Sequence, residues 1–315
     1  MNYLLLDGNS ILHAAQHSKP LSCNGIPTHG IIGFLKTLRV TIETNSAFEH
    51  IFILWDRKAH WRYEIYPGYK GNREKTDDQV TAKKEIVAQK PYLAASIFHL
   101  GIPQVTANNY EADDLAGYFS RKLVAEGHRV RLVSGDQDWI QLVNSNVSWV
   151  DHRSGATKKC NRTNFEEFTG YKNGRQFLMG KVLCGDTSDM VTGVGGIGAG
   201  TAPALVAHFG DITEVFRGYA ANGPYTKAML PESLHRACSK INLLCESGKP
   251  IFSRNFKLMN LLSGGKDEDI AGHLRITNGK FNWESFEDIC MELDFNSILA
   301  TKASWQRLFG ERKNG

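Results

Sequence analysis

The chain has 315 residues, enough for one large domain or two modest ones, and 42% of them are apolar. Charged residues make up 22% and the formal net charge is +4, which excludes a disordered chain and permits an anionic partner without demanding one. No run reaches the ~18 apolar residues of a membrane span, the start Met1-Asn-Tyr-Leu-Leu-Leu-Asp7 is too short and too acidic for a signal peptide, and the six cysteines form no C-x-x-C pair, which leaves zinc unsupported and suits a reducing cytoplasm.

Along the first half, short apolar runs alternate with helical patterns. Tyr3-Leu-Leu-Leu6 has strand length and ends at Asp7. Ile31, Phe34, Leu35 and Leu38 share one helical face, and His50-Ile-Phe-Ile-Leu-Trp55 is a second strand-length run ending at Asp56. Residues 57–90 break the alternation. The stretch is polar, rich in basic and aromatic residues, and long for a plain connection, with Thr81 to Gln89 patterned as a helix. Leu115, Phe119 and Leu123 mark another helix, and Arg129-Val-Arg-Leu-Val133 a third strand, followed by Ser-Gly and Asp136. This alternation predicts an α/β fold, a mainly parallel sheet flanked by helices, with ligands at the carboxyl ends of the strands.

From about Asn164 the pattern is mostly helical. Phe177, Leu178 and Leu183 belong to one helix, Thr201 to Phe209 to another that Gly210 stops, and Phe286, Ile289, Cys290 and Leu293 to a last one. We therefore expect a core over residues 1–163, with an insertion at 57–90 standing over the sheet edge, and a helical region over 164–315.

The strongest chemical signal is the placement of acids. Asp7, Asp56 and Asp136 follow the three clearest strands. Glu111-Ala-Asp-Asp114 opens a helix with Glu111 and Asp114 one turn apart, and Asp113 adjacent. Ser134-Gly-Asp-Gln-Asp138 adds Asp138, and Gly185-Asp-Thr-Ser-Asp189 adds Asp186 and Asp189. Each acid alone reads as a turn residue or helix cap. Gathered at one sheet edge they would repel, and a divalent cation relieves that penalty. Oxygen-only donors favour Mg2+ or Mn2+ over zinc, and two such ions can hold a scissile phosphate. A glycosidase needs two carboxyls rather than a crowd, and His13, His29 and His152 are too isolated for a nucleophilic triad.

Two further segments bear on the partner. Arg57-Lys-Ala-His-Trp-Arg62 and Tyr66-Pro-Gly-Tyr-Lys70-Gly-Asn-Arg73 interleave charge with flat rings, the combination that single-stranded nucleic acid requires. Gly193-Val-Gly-Gly-Ile-Gly198 satisfies G-x-G-x-x-G, but an acidic loop precedes it where a dinucleotide fingerprint needs a strand. A glycine hairpin between two helices, in which Gly193, Gly195, Gly196 and Gly198 bring backbone N–H groups close to a phosphate, fits better.

These five motifs, in this order and spacing between residues 7 and about 210, resemble the 5′-nuclease family of flap endonucleases, phage 5′–3′ exonucleases and the 5′-nuclease domain of DNA polymerase I. The resemblance implies a PIN-like 5′-nuclease core. It implies that Asp7, Asp56, Glu111, Asp113, Asp114, Asp136, Asp138, Asp186 and Asp189 hold two or more Mg2+ or Mn2+ ions, some through water. Residues 57–90 resemble a helical arch in which Tyr69, Lys70 and Arg73 handle a 5′ strand, with Arg57 and Arg62 as further DNA contacts. Residues 176–210 resemble a helix–hairpin–helix that grips duplex DNA with a K+ ion, and Leu293-Asp-Phe-Asn-Ser-Ile-Leu299 resembles the family's closing helix. The implied catalytic set is Lys70, Arg73, Asp7, Asp56 and Asp136. The implied partner is DNA with 5′ flaps, nicks or ends, including RNA-primed ends, bound by a free-standing monomer in a bacterial or phage-infected cytoplasm. Gly200 stands where relatives often carry a basic residue, so Lys227, Arg236 and Lys240 are candidate substitutes for backbone grip. A non-catalytic branched-DNA binder and a ribonuclease on a related acidic fold are the alternatives.

Overall fold

A computed structural model describes residues 1–71, 76–154 and 157–311. The apolar runs pair into one sheet. Its strands are β1 (Asn2–Asp7), β2 (His50–Leu54), β3 (Gln104–Ala107), β4 (Arg129–Val133), β5 (Val147–Val150), β6 (Lys159–Cys160) and β7 (Leu274–Thr277). They lie in the order β7-β3-β2-β1-β4-β5-β6. The five inner strands are parallel, and an antiparallel strand closes each edge.

Alternation along each inner strand feeds two cores. Leu4 and Leu6 face one core with Phe34, Ile97, Phe286 and Trp305, whereas Leu5 faces another with Leu115, Trp139 and Leu178. Strands covered on both faces must be apolar throughout, which is why these runs stand out in the sequence. The first core is roofed by α1 (Gly8–Gln16), α2 (His29–Thr44) and the distal part of an insertion helix, together with helices Trp283–Glu292 and Lys302–Gly310.

The insertion contains α3 (His60–Ile65), a turn through Gly71, and α4 (Asp77–His99). Thr76 opens α4 with a reciprocal cap, accepting from the Gln79 N–H while the Gln79 side chain accepts from its own. The helix is far longer than its sequence pattern suggested. Pro91 lies inside it and removes only one hydrogen bond, and burial of Leu93 and Ile97 carries the helix past it.

The second core rests on α5 (Ala112–Ala125), α6 (Gly174–Cys184), α7 (Ala202–Phe209), α8 (Lys249–Met259) and α9 (Asp267–His273). The chain then sends β7 back to pair antiparallel with β3. This strand departs from the expected helical second half. Arg275, Ile276 and Thr277 are exposed on the edge strand, so it shows no buried alternation to read.

Candidate active site

Parallel pairing aligns the strand ends, and with them the acids. Leu54 is in register with Asp7 and Val133 with Leu6, so Asp7, Asp56 and Asp136 leave the same edge. Asp7 caps α1, accepting from the Ser10 N–H at 2.9 Å and from the Ser134 hydroxyl at 2.7 Å. Asp56 accepts from Asn9 at 2.6 Å and from the Ala112 N–H at 2.8 Å, which ties it to the start of α5. Asp113, in the first turn of α5, accepts from the Trp139 indole at 2.7 Å. Asp136 accepts from the Asp138 N–H at 2.8 Å.

Asp113, Asp138, Asp186 and Asp189 line a cavity of about 20 Å³, room for one water or ion. Burial and mutual repulsion leave this region over-acidic. Burial, then the Asp56 charge, pushes Asp7 up to about 6. Burial, then Asp138, pushes Asp136 up to about 7. Burial, then Asp136 and Asp56, holds Asp113 well above the carboxylate range. Among the described residues no three His, Cys, Asp or Glu side chains close around a single ion-sized point. The chain's own cations do much of the neutralising.

Lys70 donates to Glu111 at 2.7 Å and lies 3.9 Å from Asp189. Its backbone is left-handed, with φ 54°, and its N–H donates to the Asp189 carbonyl at 2.9 Å. Such a conformation in a non-glycine residue stores strain beside the acids. Lys181 bridges Asp138 at 2.6 Å and Asp186 at 3.1 Å. Burial works against Glu111 and Asp186 ionising, yet Arg62 and Lys70 hold the first below its ordinary value and Lys181 the second. All the donors are oxygens, a set suited to a hard divalent cation.

Three expectations need correction. Asp114 does not join the cluster, because Arg62 donates to both its oxygens at 2.6 and 2.9 Å and the Glu111 N–H occupies one of them. Arg62 is 2% exposed and therefore presents no DNA-facing surface. Tyr69 is buried too, donating its hydroxyl to Glu111 at 2.9 Å. Arg57 is exposed, and Arg73 lies outside the described residues. In the glycine segment only Gly195 and Gly196 need positive φ, at 61° and 70°. Gly193 is fixed by packing, since a Cβ there would sit 2.4 Å from the Cys184 carbonyl oxygen.

Sequence reasoning missed Lys181, Trp139, Asn9, Ser10 and Ser134. It also treated His152 as isolated, whereas its Nε2 lies 3.0 Å from the Ser10 hydroxyl, which accepts from the Gly135 N–H. Burial lowers His152 to about 4, so the neutral ring ties the loops carrying Asp7 and Asp136 together. The recoverable signal was proximity: Asn9, Ser10, Ser134 and Trp139 all lie within three residues of an acid.

The raised pKa of Asp136 fixes a pH dependence. The folded chain keeps that proton up to about pH 7, whereas the ordinary value is 3.8. Between these values the folded state binds more protons, so its contribution to stability is complete at low pH and is lost as pH rises through 7. Asp136→Asn escapes that loss. Asp136 is exposed at the mouth of the cluster, so solvent screens much of this effect; in metal-free urea titrations the variant should match wild type near pH 4 and exceed it by about 1 kcal/mol near pH 8. A gap independent of pH would contradict the burial argument.

Comparison with known proteins gives one result. The family described as 5′-3′ exonuclease, N-terminal resolvase-like domain matches residues 2–172. A 5′-3′ exonuclease of Mycoplasma pneumoniae is 30% identical over 227 residues, covering 69% of this chain and 76% of that protein. DNA polymerase I of Bacillus caldotenax is 34% identical over 222 residues, but the chain spans only 24% of its length. In three dimensions the chain is similar to the bacteriophage T5 flap endonuclease, solved as a pseudo-enzyme-product complex with DNA and metal ions. The TM-score is 0.67 at 22% identity, covering 93% of this chain and 99% of that one.

Proposed function

Because the chain belongs to the 5′-3′ exonuclease family, we propose that it is a structure-selective, divalent-metal-dependent 5′ nuclease that hydrolyses DNA phosphodiester bonds near 5′ ends. Exonuclease and flap endonuclease action are both included. The carrying observation is the meeting of Asp113, Asp138, Asp186 and Asp189, from three separate segments, around one small cavity beside Lys70. That the T5 flap endonuclease is seen with DNA and metal ions supports the same chemistry here.

Asp7, Asp56, Glu111, Asp113, Asp136, Asp138, Asp186 and Asp189 would hold Mg2+ or Mn2+, some of them through water. When bound, a pair of such ions supplies an activated water and charge stabilisation for the leaving oxygen. The chain's own groups do the rest. Ser10, Ser134 and Trp139 fix the carboxylates. Lys70 and Lys181 hold the acids together in the absence of substrate, and Lys70 then turns toward the scissile phosphate. The exposed Arg57 and the arch guide a 5′ single strand, while the glycine hairpin, with a K+ ion, grips duplex backbone. Monomeric action in a cytoplasm on nicked, flapped or RNA-primed ends belongs to the same reading.

The test is cutting of an end-labelled 5′-flap duplex with and without Mg2+. Tight, salt-sensitive binding with no product would leave a branched-DNA binder, and preference for an all-RNA flap would make it a ribonuclease. Lys70→Ala should slow cutting about 10²-fold, the usual loss for a positioned electrostatic group. An unchanged single-turnover rate would remove Lys70 from the chemistry.

A further inference from the structure

The Arg62–Asp114 pair is also a partition. Arg62 lines the carboxylate cavity, whereas Asp114 lines a second one of about 500 Å³, within the size range of small-molecule sites. The second cavity is bounded by α3, α5, the end of α8, the loop at 260–266 and α9. Ile65, Phe256, Leu261 and Ile270 supply apolar walls.

Its polar groups are nearly all donors. The buried Trp61 indole N–H has no hydrogen-bond partner among the described residues. The Lys266 ammonium lies over the Trp61 ring, 2.7 Å from its centre, and burial holds that amine down to about 8. Asn260 accepts the Leu262 and Ser263 N–H groups through its carbonyl oxygen, which leaves its NH2 as a donor. The Ser263 hydroxyl accepts from Gly265 and keeps its own proton to give. The lining acids do not compete: Asp114 is engaged by Arg62, and Glu64 is exposed at the rim. Arg121 is engaged by Asp267. A pocket that combines several donors with an aromatic ring and aliphatic carbons fits an acceptor-rich anion carried on a flat apolar body.

We propose that this cavity binds a nucleoside 5′-phosphate, its phosphate oxygens accepting from Lys266, Ser263 and Asn260 and its base lying against the Phe256, Ile65 and Ile270 walls. The site is separate from the carboxylate cluster and does not depend on the nuclease reading, so its test requires no turnover.

The full chain is titrated calorimetrically in EDTA with deoxyadenosine 5′-phosphate, deoxyadenosine and inorganic phosphate. The nucleotide should bind at least about tenfold more tightly than either fragment, as a joint phosphate and base site requires. Lys266→Ala should weaken it by about tenfold, the loss of one charge-assisted contact. Lys257→Ala, at the exposed rim, gives a milder loss without disturbing buried packing, and thermal melting confirms that both variants fold. Lys70→Ala should leave binding unchanged. Absent saturable binding, indifference to Lys266→Ala in a folded variant, or loss in Lys70→Ala would overturn the assignment. Competition by a 5′-phosphorylated tetranucleotide would extend the same phosphate chemistry to strand ends, and failure to compete would confine it to free nucleotides.

Discussion

Asp113→Asn should lose metal-dependent cleavage by about 10³-fold or more while the chain remains folded. Asp113 is common to both halves of the acid cluster. It lines the small cavity with Asp138, Asp186 and Asp189, and it feels the charges of Asp136, Asp56 and Glu111. Asparagine is nearly isosteric and keeps an oxygen to accept the Trp139 indole N–H, so the local hydrogen bond survives. What disappears is a negative oxygen. Loss of an outer-shell partner alone typically weakens a metal site 10–100-fold, and loss of a single transition-state contact slows catalysis about 10²–10³-fold. A direct donor should exceed both. The measurement is the single-turnover rate on a 5′-flap duplex across a Mg2+ titration, with melting in EDTA as the folding control. In EDTA the variant should be at least as stable as wild type, because a buried like charge has gone. Wild-type cutting at the same Mg2+ concentration would remove Asp113 from the site.

The legible parts of this molecule are those where one physical demand dominates the sequence. β1 and β2 are covered on both faces, so Tyr3–Leu6 and Ile51–Leu54 stand out as apolar runs, while β4 shows in Arg129–Val133 as buried Val130, Leu132 and Val133 interrupted by Arg131. Parallel pairing then forces their carboxyl ends to one edge, and Asp7, Asp56 and Asp136 follow without further information. The glycine segment after Asp189 forms a tight loop whose Gly195 packs against the Lys240–Leu244 backbone.

The illegible parts depend on partners distant in sequence. Glu111-Ala-Asp-Asp114 offers three carboxylates with nothing local to sort them. Arg62, 52 positions away, withdraws Asp114, whereas Trp139 marks Asp113 for the cluster. Arg62 and Tyr69 sit in a polar, basic stretch and read as surface, yet the acids they neutralise draw both inside. Lys181 reads as an ordinary helix residue until the loop after α6 folds Asp186 back to it. The walls of the larger cavity come from residues 256–270, where no motif marks the chain.

Arg62→Ala should destabilise the fold by about 3–5 kcal/mol, a large share of the ~5–15 kcal/mol that holds a typical domain together. The guanidinium is 2% exposed, donates to both oxygens of Asp114, reaches the Leu258 carbonyl at 3.3 Å and lies 3.4 Å from Glu111. Burying these charges is itself unfavourable, so the pair adds little net stability over an apolar replacement. The penalty in the single variant arises because Asp114 would remain 8% exposed after losing the guanidinium that donates to both its oxygens. The double variant separates the stranded charge from the lost contacts. Asp114→Asn keeps an oxygen to accept the Glu111 N–H that opens α5 while removing the stranded charge. Arg62→Ala combined with Asp114→Asn should therefore regain more than half of the loss. Urea unfolding of all four members of the cycle in EDTA, at pH 7, measures the coupling directly. Strictly additive single losses, or an Arg62→Ala loss below about 1 kcal/mol, would mean that the pair is not the partition between the two cavities and that something else keeps Asp114 away from the acids. A recovered fold in the double variant should still cut DNA slowly, because Glu111 has lost one of the two cations that hold it ionised beside Lys70.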